Sequence, residues 1–485
     1  MCGTGGAGPG WAADSPATSR WQQASNEGRL TISRPSEPLN QFVCQRLDLR
    51  MKKRTLLGLM AGLPVSGVLT ACGGNNSGSA QVRLVNASPG YSALDLYIDD
   101  KLKVSNVAYG AASGYVSVDK GSFDTALSVN GSSTQLITTS RTYDTDTTYS
   151  IIAYGWNGSL KSVIVTENQD DATDGSMYFR VLNTSTDAGS VDVYLTAETD
   201  SLDSATAVAS DVGGGKSTSF GTVDSGTYRL RITAQGDTST VLLDVSNVTV
   251  SSKGVYTLIV TPTIGGVLVN ALLMKQKGDV TALNTTMARV RLVCAMPGGA
   301  RVAAAVGDTT LTSGNASPAV IGYTQVDVSA GTLTIQATVD GVATPSTTWA
   351  ATAGSDVTVV VSGATAADAT PVVITDDNRL STSSTKYKMR LMHASQALSS
   401  DALTLTVDLT DIVSNQAYRS ASSYVNRSAN SSSVVTVSSL NAGQIFSLSD
   451  QALVAQGVYD VILLDKSAAG TDGVLQTYYF SNVRA

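Results

Sequence analysis

One eight-residue pattern recurs four times along this 485-residue chain. It reads "VRLVNASP" from Val82, "FRVLNTST" from Phe179, "VRLVCAMP" from Val290 and "MRLMHASQ" from Met389. The second residue is always arginine: Arg83, Arg180, Arg291 and Arg390, at spacings of 97, 111 and 99 residues. A unit of that length is the size of one domain and far longer than a solenoid repeat, so the chain reads as a tandem array of domains.

Inside each unit the pattern is that of strands. "LDLYI" (Leu94 to Ile98) and "VDVYL" (Val191 to Leu195) alternate as half-buried strands do; unit three has only "RVAAAV" there, and unit four has "LTLTVDL". A later strand recurs as "TTYSIIAY", "GVYTLIV", "SDVTVVV" and "GVYDVILL". Strand starts fall roughly 8–12 residues apart, the spacing of a sandwich. Thr and Val favour the strands, and Gly and Ser favour the turns. No stretch beyond residue 80 holds a helical period. The expected fold class is all-β, with sandwiches over 81–175, 176–284, 285–380 and 381–485. A fragment of residues 80–175 is expected to fold alone.

The front end is different. Residues 1–50 show no strand or helix period and read as a mis-assigned start or a disordered extension, the alternative being a genuine N-terminal tail. At Met51-Lys52-Lys53-Arg54 a basic start precedes the apolar "TLLGLMAGLPVSGVLTA". That order of charge, apolar core and small residues is a secretory signal over 51–71, and its core is short for a membrane span. Leu69, Thr70, Ala71 and Cys72 resemble the bacterial lipobox. The resemblance implies that the Cys72 thiol receives a diacylglycerol, that the signal is cut before it, and that the new amine takes an acyl chain such as palmitate. Two or more chains hold a protein stably in a bilayer, where one does not. Residues 72–80, "CGGNNSGSA", read as a flexible tether. Gly73 after the cysteine favours outer-membrane delivery, by resemblance to enteric lipoproteins.

From Val82 to Phe123 the chain resembles the DUF4397 family. The carriers are the arginine-bearing first strand, the Asn86-to-Pro89 turn, the Leu94-to-Asp99 strand and the Asn106-to-Gly110 segment. The likeness is strongest in unit one, fair in unit two and partial in units three and four. It implies an immunoglobulin-like sandwich in bacterial envelope proteins. It transfers no catalytic residue, because the family's function is undefined.

Charge narrows the partners. The chain holds 32 Lys and Arg against 39 Asp and Glu; from Cys72 onward the balance is 24 against 35. Nucleic acid needs clustered basic residues and is not an expected partner. The single histidine, His393, stands where unit one has Asn86, and is expected to make a strand-end hydrogen bond. One histidine cannot build a multi-histidine metal site, and no zinc, redox or nucleotide motif occurs. "SVDK" (Ser117 to Lys120) matches a loose S-x-x-K pattern without its companions. Cys294 reads as a small buried residue. The repeated arginines are expected at strand edges or ends, paired with carboxylates on the Asp95 and Asp192 strands of units one and two. Tyr97 and Tyr194 could form an aromatic stripe, although cross-strand packing is the commoner cause of such a pattern. Asp170, Asp171, Asp174, Asp376 and Asp377 cluster near domain junctions and are candidate calcium ligands, or else acidic solvated linkers.

These readings point to a non-enzymatic lipoprotein of the outer membrane, held by its lipid and facing the periplasm or the outside. It would present tandem sandwiches for structural or adhesive contacts with a protein or polysaccharide. The alternatives are a module binding glycan or envelope polymer and, less favoured, a hydrolase using paired carboxylates.

Overall fold

The opening strand of each unit is buried on both faces, and this decides how the units assemble. In β1 (Ser79–Asn86), Val82 and Leu84 enter the core of unit one. On the other face Val85, with Ala87 just beyond the strand, joins a second apolar cluster that contains Leu182, Ile259, Leu272 and Met274 of unit two. A strand covered on both sides is apolar at consecutive positions rather than alternate ones. The runs "SIIAY", "YTLIV", "VTVVV" and "YDVILL" have that character.

The computed structural model describes residues 78–465 and the backbone of 476–481. The N-terminal extension, the signal segment, Leu69, Thr70, Ala71, Cys72 and most of the tether lie outside the described residues.

Unit one continues with β2 (Ala93–Ile98), β3 (Lys101–Ala108), β4 (Val116–Asp119), β5 (Gly121–Val129), β6 (Gln135–Tyr143), β7 (Thr148–Tyr154) and β8 (Lys161–Thr166). They form two sheets, ordered β4-β1-β7-β8 and β3-β2-β5-β6, with β1 parallel to β7. The same order recurs in the other three units, whose opening strands Ser176–Asn183, Met287–Ala295 and Lys386–His393 run parallel to Val255–Pro262, Asp356–Ser362 and Val458–Leu464. The all-β sandwich class is therefore as expected. The strand order differs from the ABED and CFG sheets of immunoglobulin constant domains. In unit three the degenerate "RVAAAV" still forms the second strand, Arg301–Val306, because small apolar residues fit that position against Ile335 and Val339.

Each unit has its own core between its two sheets. Cys294 sits in the core of unit three, where burial pushes its thiol up to about 12. Units three and four share an apolar seam that matches the one between units one and two. It joins Val293, Ala295 and Val360 to Met392, Ala394, Ile462 and Leu464. The array is thus two face-to-face pairs rather than a string of separate modules.

The two pairs are tied together through residues 263–266, the turn at Gly354 and the segment after Asp376. The Gly265 N–H donates to Gly354 O at 2.8 Å, and the Asn378 N–H donates to Gly265 O at 3.1 Å. Gly266 has φ +84, and a Cβ there would stand 2.5 Å from the backbone nitrogen of Arg379. Only glycine allows both the left-handed turn and that approach.

Candidate functional site

Arg83, Arg291 and Arg390 are buried in clusters at the two seams, and Arg180 lies half-buried near the first. The parallel register places Ser150, Thr257, Thr358 and Asp460 beside Arg83, Arg180, Arg291 and Arg390 respectively. An aromatic ring from the segment after the third strand stacks on each guanidinium: Tyr115 at 4.7 Å, Phe220 at 4.4 Å, Tyr323 at 5.1 Å and Tyr424 at 4.6 Å.

At the first seam Glu167, 1% exposed, accepts from Arg83 Nη2 at 3.1 Å and from Tyr115 OH at 2.9 Å. Ser150 Oγ also donates to it. The Lys277 N–H of unit two reaches the same carboxylate at 2.6 Å, and Arg83 donates to Lys275 O of unit two at 3.3 Å. At the second seam Asp376 occupies the equivalent place and accepts from Tyr323 OH and Thr358 Oγ1, each at 2.7 Å. Arg390 Nη2 also donates to Asp376. Asp460 adds a second carboxylate, accepting from Arg291 Nη2 at 2.5 Å, Arg390 Nε at 2.7 Å and Tyr424 OH at 2.8 Å. Burial disfavours charge on these arginines, but the facing carboxylates outweigh it and hold Arg291 and Arg390 above the usual arginine range. These clusters are joints between domains.

Two sequence expectations change here. The arginines lie on central strands rather than edges; Arg83 pairs with Glu167 just past the eighth strand, Arg291 with Asp460 of unit four, and Arg390 with both Asp376 and Asp460, while Arg180 bonds Thr257. Asp95 and Asp192 have another task. Asp95 accepts the N–H groups of Asn106 and Gly131 at 2.8 and 3.0 Å, and Asp192 those of Asp211 and Gly236, both at 2.8 Å. They hold the bulged third strand and the turn that follows the fifth.

The aspartates proposed for calcium are not brought together. Asp376 is consumed by the arginine joint and Asp377 pairs with Arg379 and Lys388. Asp174 pairs with Lys253 at 3.0 Å, while Asp170 and Asp171 are exposed. No group of three or more potential metal-ligating His, Cys, Asp or Glu side chains occurs among the described residues. Chelator is expected to leave the melting temperature unchanged; a drop in scanning calorimetry would contradict this. Tyr194 is buried and Tyr97 partly covered, in outer sheets of different units, so they make no stripe. Ser117 and Lys120 lie exposed on and beside the edge strand β4.

His393 replaces an asparagine with a defined role. Asn86 donates from its amide to Tyr91 O and Val107 O, each at 3.1 Å, closing the turn after the first strand. Asn183 does the same toward Gly189 O and Val212 O. His393 Nε2 lies 3.1 Å from Leu398 O while Nδ1 is buried without a partner. Burial holds the imidazole below its usual pKa. As pH falls below the unfolded value of about 6.5, the unfolded chain takes up a proton the folded chain refuses, and stability is lost. His393→Asn is expected to flatten that acid dependence, which is at most about 1.4 kcal/mol per pH unit for one proton. Urea midpoints at pH 7.5 and 5 would read it.

The segment 377–382 is a built structure rather than a solvated linker. Asp187 of unit two accepts the Trp156 indole N–H of unit one at 2.5 Å and the Leu380 N–H at 2.7 Å. Arg379 stacks on Trp156 at 4.5 Å while pairing with Asp377. Between this segment, the Trp156 loop and unit four lies a groove of about 700 Å³, lined chiefly by Trp156, Asp377, Arg379, Lys388, Tyr424 and Asn426. A smaller hollow of about 160 Å³ lies across Leu380–Thr382 and shares Trp156 with it. The groove's size falls within the range of ligand pockets. Its walls come from residues distant in the chain, so no linear pattern marks it. The stacking aromatics are partly legible: Ser113-Gly-Tyr115, Thr218-Ser-Phe220 and Ser422-Ser-Tyr424 stand 32, 40 and 34 residues after Arg83, Arg180 and Arg390.

Two tandem stretches match the DUF4397 model. That model, described as a domain of unknown function, covers residues 80–194 and 288–400. Each DUF4397 match begins at the opening strand of one unit and runs into the next, the first match reaching that unit's second strand and the second match passing only its first. Unit three is thus matched despite Cys294 and "RVAAAV", whereas most of unit two, fair by motif, is not. No curated protein matches the chain. Among solved structures, a family 26 carbohydrate-binding module from Eubacterium rectale, in complex with maltoheptaose, aligns at 12% identity over 42% of this chain and 95% of its own, with a TM-score of 0.14. The Bacillus anthracis TIE protein aligns at 9% identity over 80% and 68%, with a TM-score of 0.13. At these scores neither likeness bears on function.

Proposed function

We propose that this chain is a non-enzymatic envelope protein that binds a polar polymer, a glycan above all, in the groove beside residues 377–382. It would be anchored in the outer membrane through an acylated Cys72. The observation that carries the reading is the assembly of the groove. Units one and four and the intervening segment each supply walls, and Asp187 of unit two fixes two of them. Its lining of hydroxyl, amide and charged groups suits a polar chain of sugars.

The test uses the full chain. Asn426 and Ser423 are exposed lining residues, so Ser423→Trp and Asn426→Trp should block the groove without disturbing a core. Affinity electrophoresis in gels carrying bacterial polysaccharides should show retardation of the parent chain and at least a tenfold weaker interaction in both variants. Equal retardation would reject the groove as the site. Separately, Cys72→Ser should move the protein from the membrane to the soluble fraction of cells; unchanged membrane association would remove the lipid anchor from the reading. A purely structural role is the second reading, favoured by the two arginine joints that stiffen the array.

A further inference from the structure

The groove is basic within an acidic chain. From Cys72 onward acidic residues outnumber basic ones by 35 to 24. The groove and its adjoining hollow reverse this balance, with Lys161, Arg379, Lys388 and Arg390 against Asp187 and Asp377. Arg390 is neutralised from beneath by Asp376 and Asp460. That leaves three cations facing two carboxylates, and one of those, Asp377, is shared. Arg379 holds it at 2.7 Å and the Lys388 ammonium at 3.1 Å. Lys161 is exposed at the rim of the hollow. One side of this arrangement is fixed by Trp156, whose indole is held by Asp187 and covered by Arg379.

Resting on the reading of the groove as a polymer site, we propose that its ligand is an acidic polysaccharide whose carboxylate or phosphate seats between Lys388 and Arg379. A second anionic group along the chain would reach Lys161 across Leu380–Thr382. A neutral glycan would leave the surplus positive charge uncompensated, whereas an anionic group completes the ion-pair set already begun by Asp377.

The titration of the surrounding groups gives the reading a signature. Burial lowers the Lys388 ammonium to about 8, with Asp377 opposing. Although burial alone would raise Asp377, Arg379 and Lys388 lower it to about 2, and burial raises Tyr424 well above its usual value. Asp187, Arg379 and the Arg390–Asp460 pair are the other charged groups around it. Lys388 is therefore the group that loses charge between pH 7 and 9, and affinity should fall as pH rises through that window.

The experiment compares the full chain against three probes: polygalacturonate for carboxylate, poly(glycerol phosphate) for phosphate and dextran for a neutral glucan. Titration calorimetry at pH 7 and 9 and at low and high salt, with melting curves for every variant, supplies the readout. The expected result is binding to one or both acidic probes, at least fivefold weaker at pH 9 and in Lys388→Gln. Lys161→Gln, an exposed change that leaves the fold alone, should weaken it by a smaller factor. Preference for polygalacturonate would assign the anion as carboxylate, and preference for poly(glycerol phosphate) as phosphate. Equal binding to dextran, insensitive to both lysine changes, would overturn the acidic-ligand inference and keep the polymer reading. No binding to any probe would overturn both.

Discussion

Asp460→Asn is expected to destabilise the second domain pair by about 3–5 kcal/mol, the range for removing one partner from a buried ionic cluster. The side chain keeps its shape and loses the charge that faces Arg291 at 2.5 Å and Arg390 at 2.7 Å. Both guanidiniums are almost fully buried, so water cannot replace the lost carboxylate. At roughly 2–4 °C per kcal/mol for a body of this size, the melting transition of units three and four should drop by about 6–20 °C. That of units one and two should stay in place, because their joint uses Glu167. Burial alone would raise the Asp460 carboxyl, but Arg390 and Arg291 outweigh it and hold it well below the usual range. Its stabilising effect is present above the unfolded carboxylate value of about 3.9 and is lost as pH falls through the folded one. Scanning calorimetry at pH 7 decides the matter; a shift under about 1 kcal/mol would mean that water reaches the cluster. Adding Arg390→Met should recover part of the loss, since it removes one of the stranded charges.

The second large effect concerns the size of the folding unit. A fragment of residues 78–284 is expected to be a cooperative monomer, and a fragment of residues 78–175 to self-associate or remain poorly folded. Cutting after residue 175 uncovers Val85, Ile152 and Val165, which pack on Leu182, Ile259, Leu272 and Met274. Burying such side chains is worth about 1.5–3 kcal/mol each as an upper estimate, a sum on the order of the whole stability of a small domain. The same cut strands Arg83 and Glu167, which take partners from residues 275–278. Light scattering with circular dichroism on both fragments tests this. A monomeric 78–175 fragment melting as high as the pair would restore the independent module expected from repeat length alone.

Much was legible without coordinates, for reasons that particular residues make plain. Strand alternation in "LDLYI" and glycine turns are local signals, so the sandwich class could be read directly. The structural roles expected of His393 and Cys294 rest on local pattern too: His393 makes its hydrogen bond at the strand end and Cys294 sits in a core. The partners of Arg83 and Arg390 could not be read: Glu167 lies 84 residues from one and Asp460 lies 70 from the other. Asp95 looked like the natural partner because it sits on the neighbouring strand in sequence, whereas it belongs to the opposite sheet.

The sequence by itself determined the number of units, their strand content and the arginine at each opening strand, because each is written in short-range pattern or repetition. Only the tertiary structure decided that the units pair face to face, that the arginines become joints, and that a basic groove opens beside residues 377–382. Those features depend on which apolar faces find each other and on charges meeting across scores of residues, and a linear pattern carries no distance information of that kind.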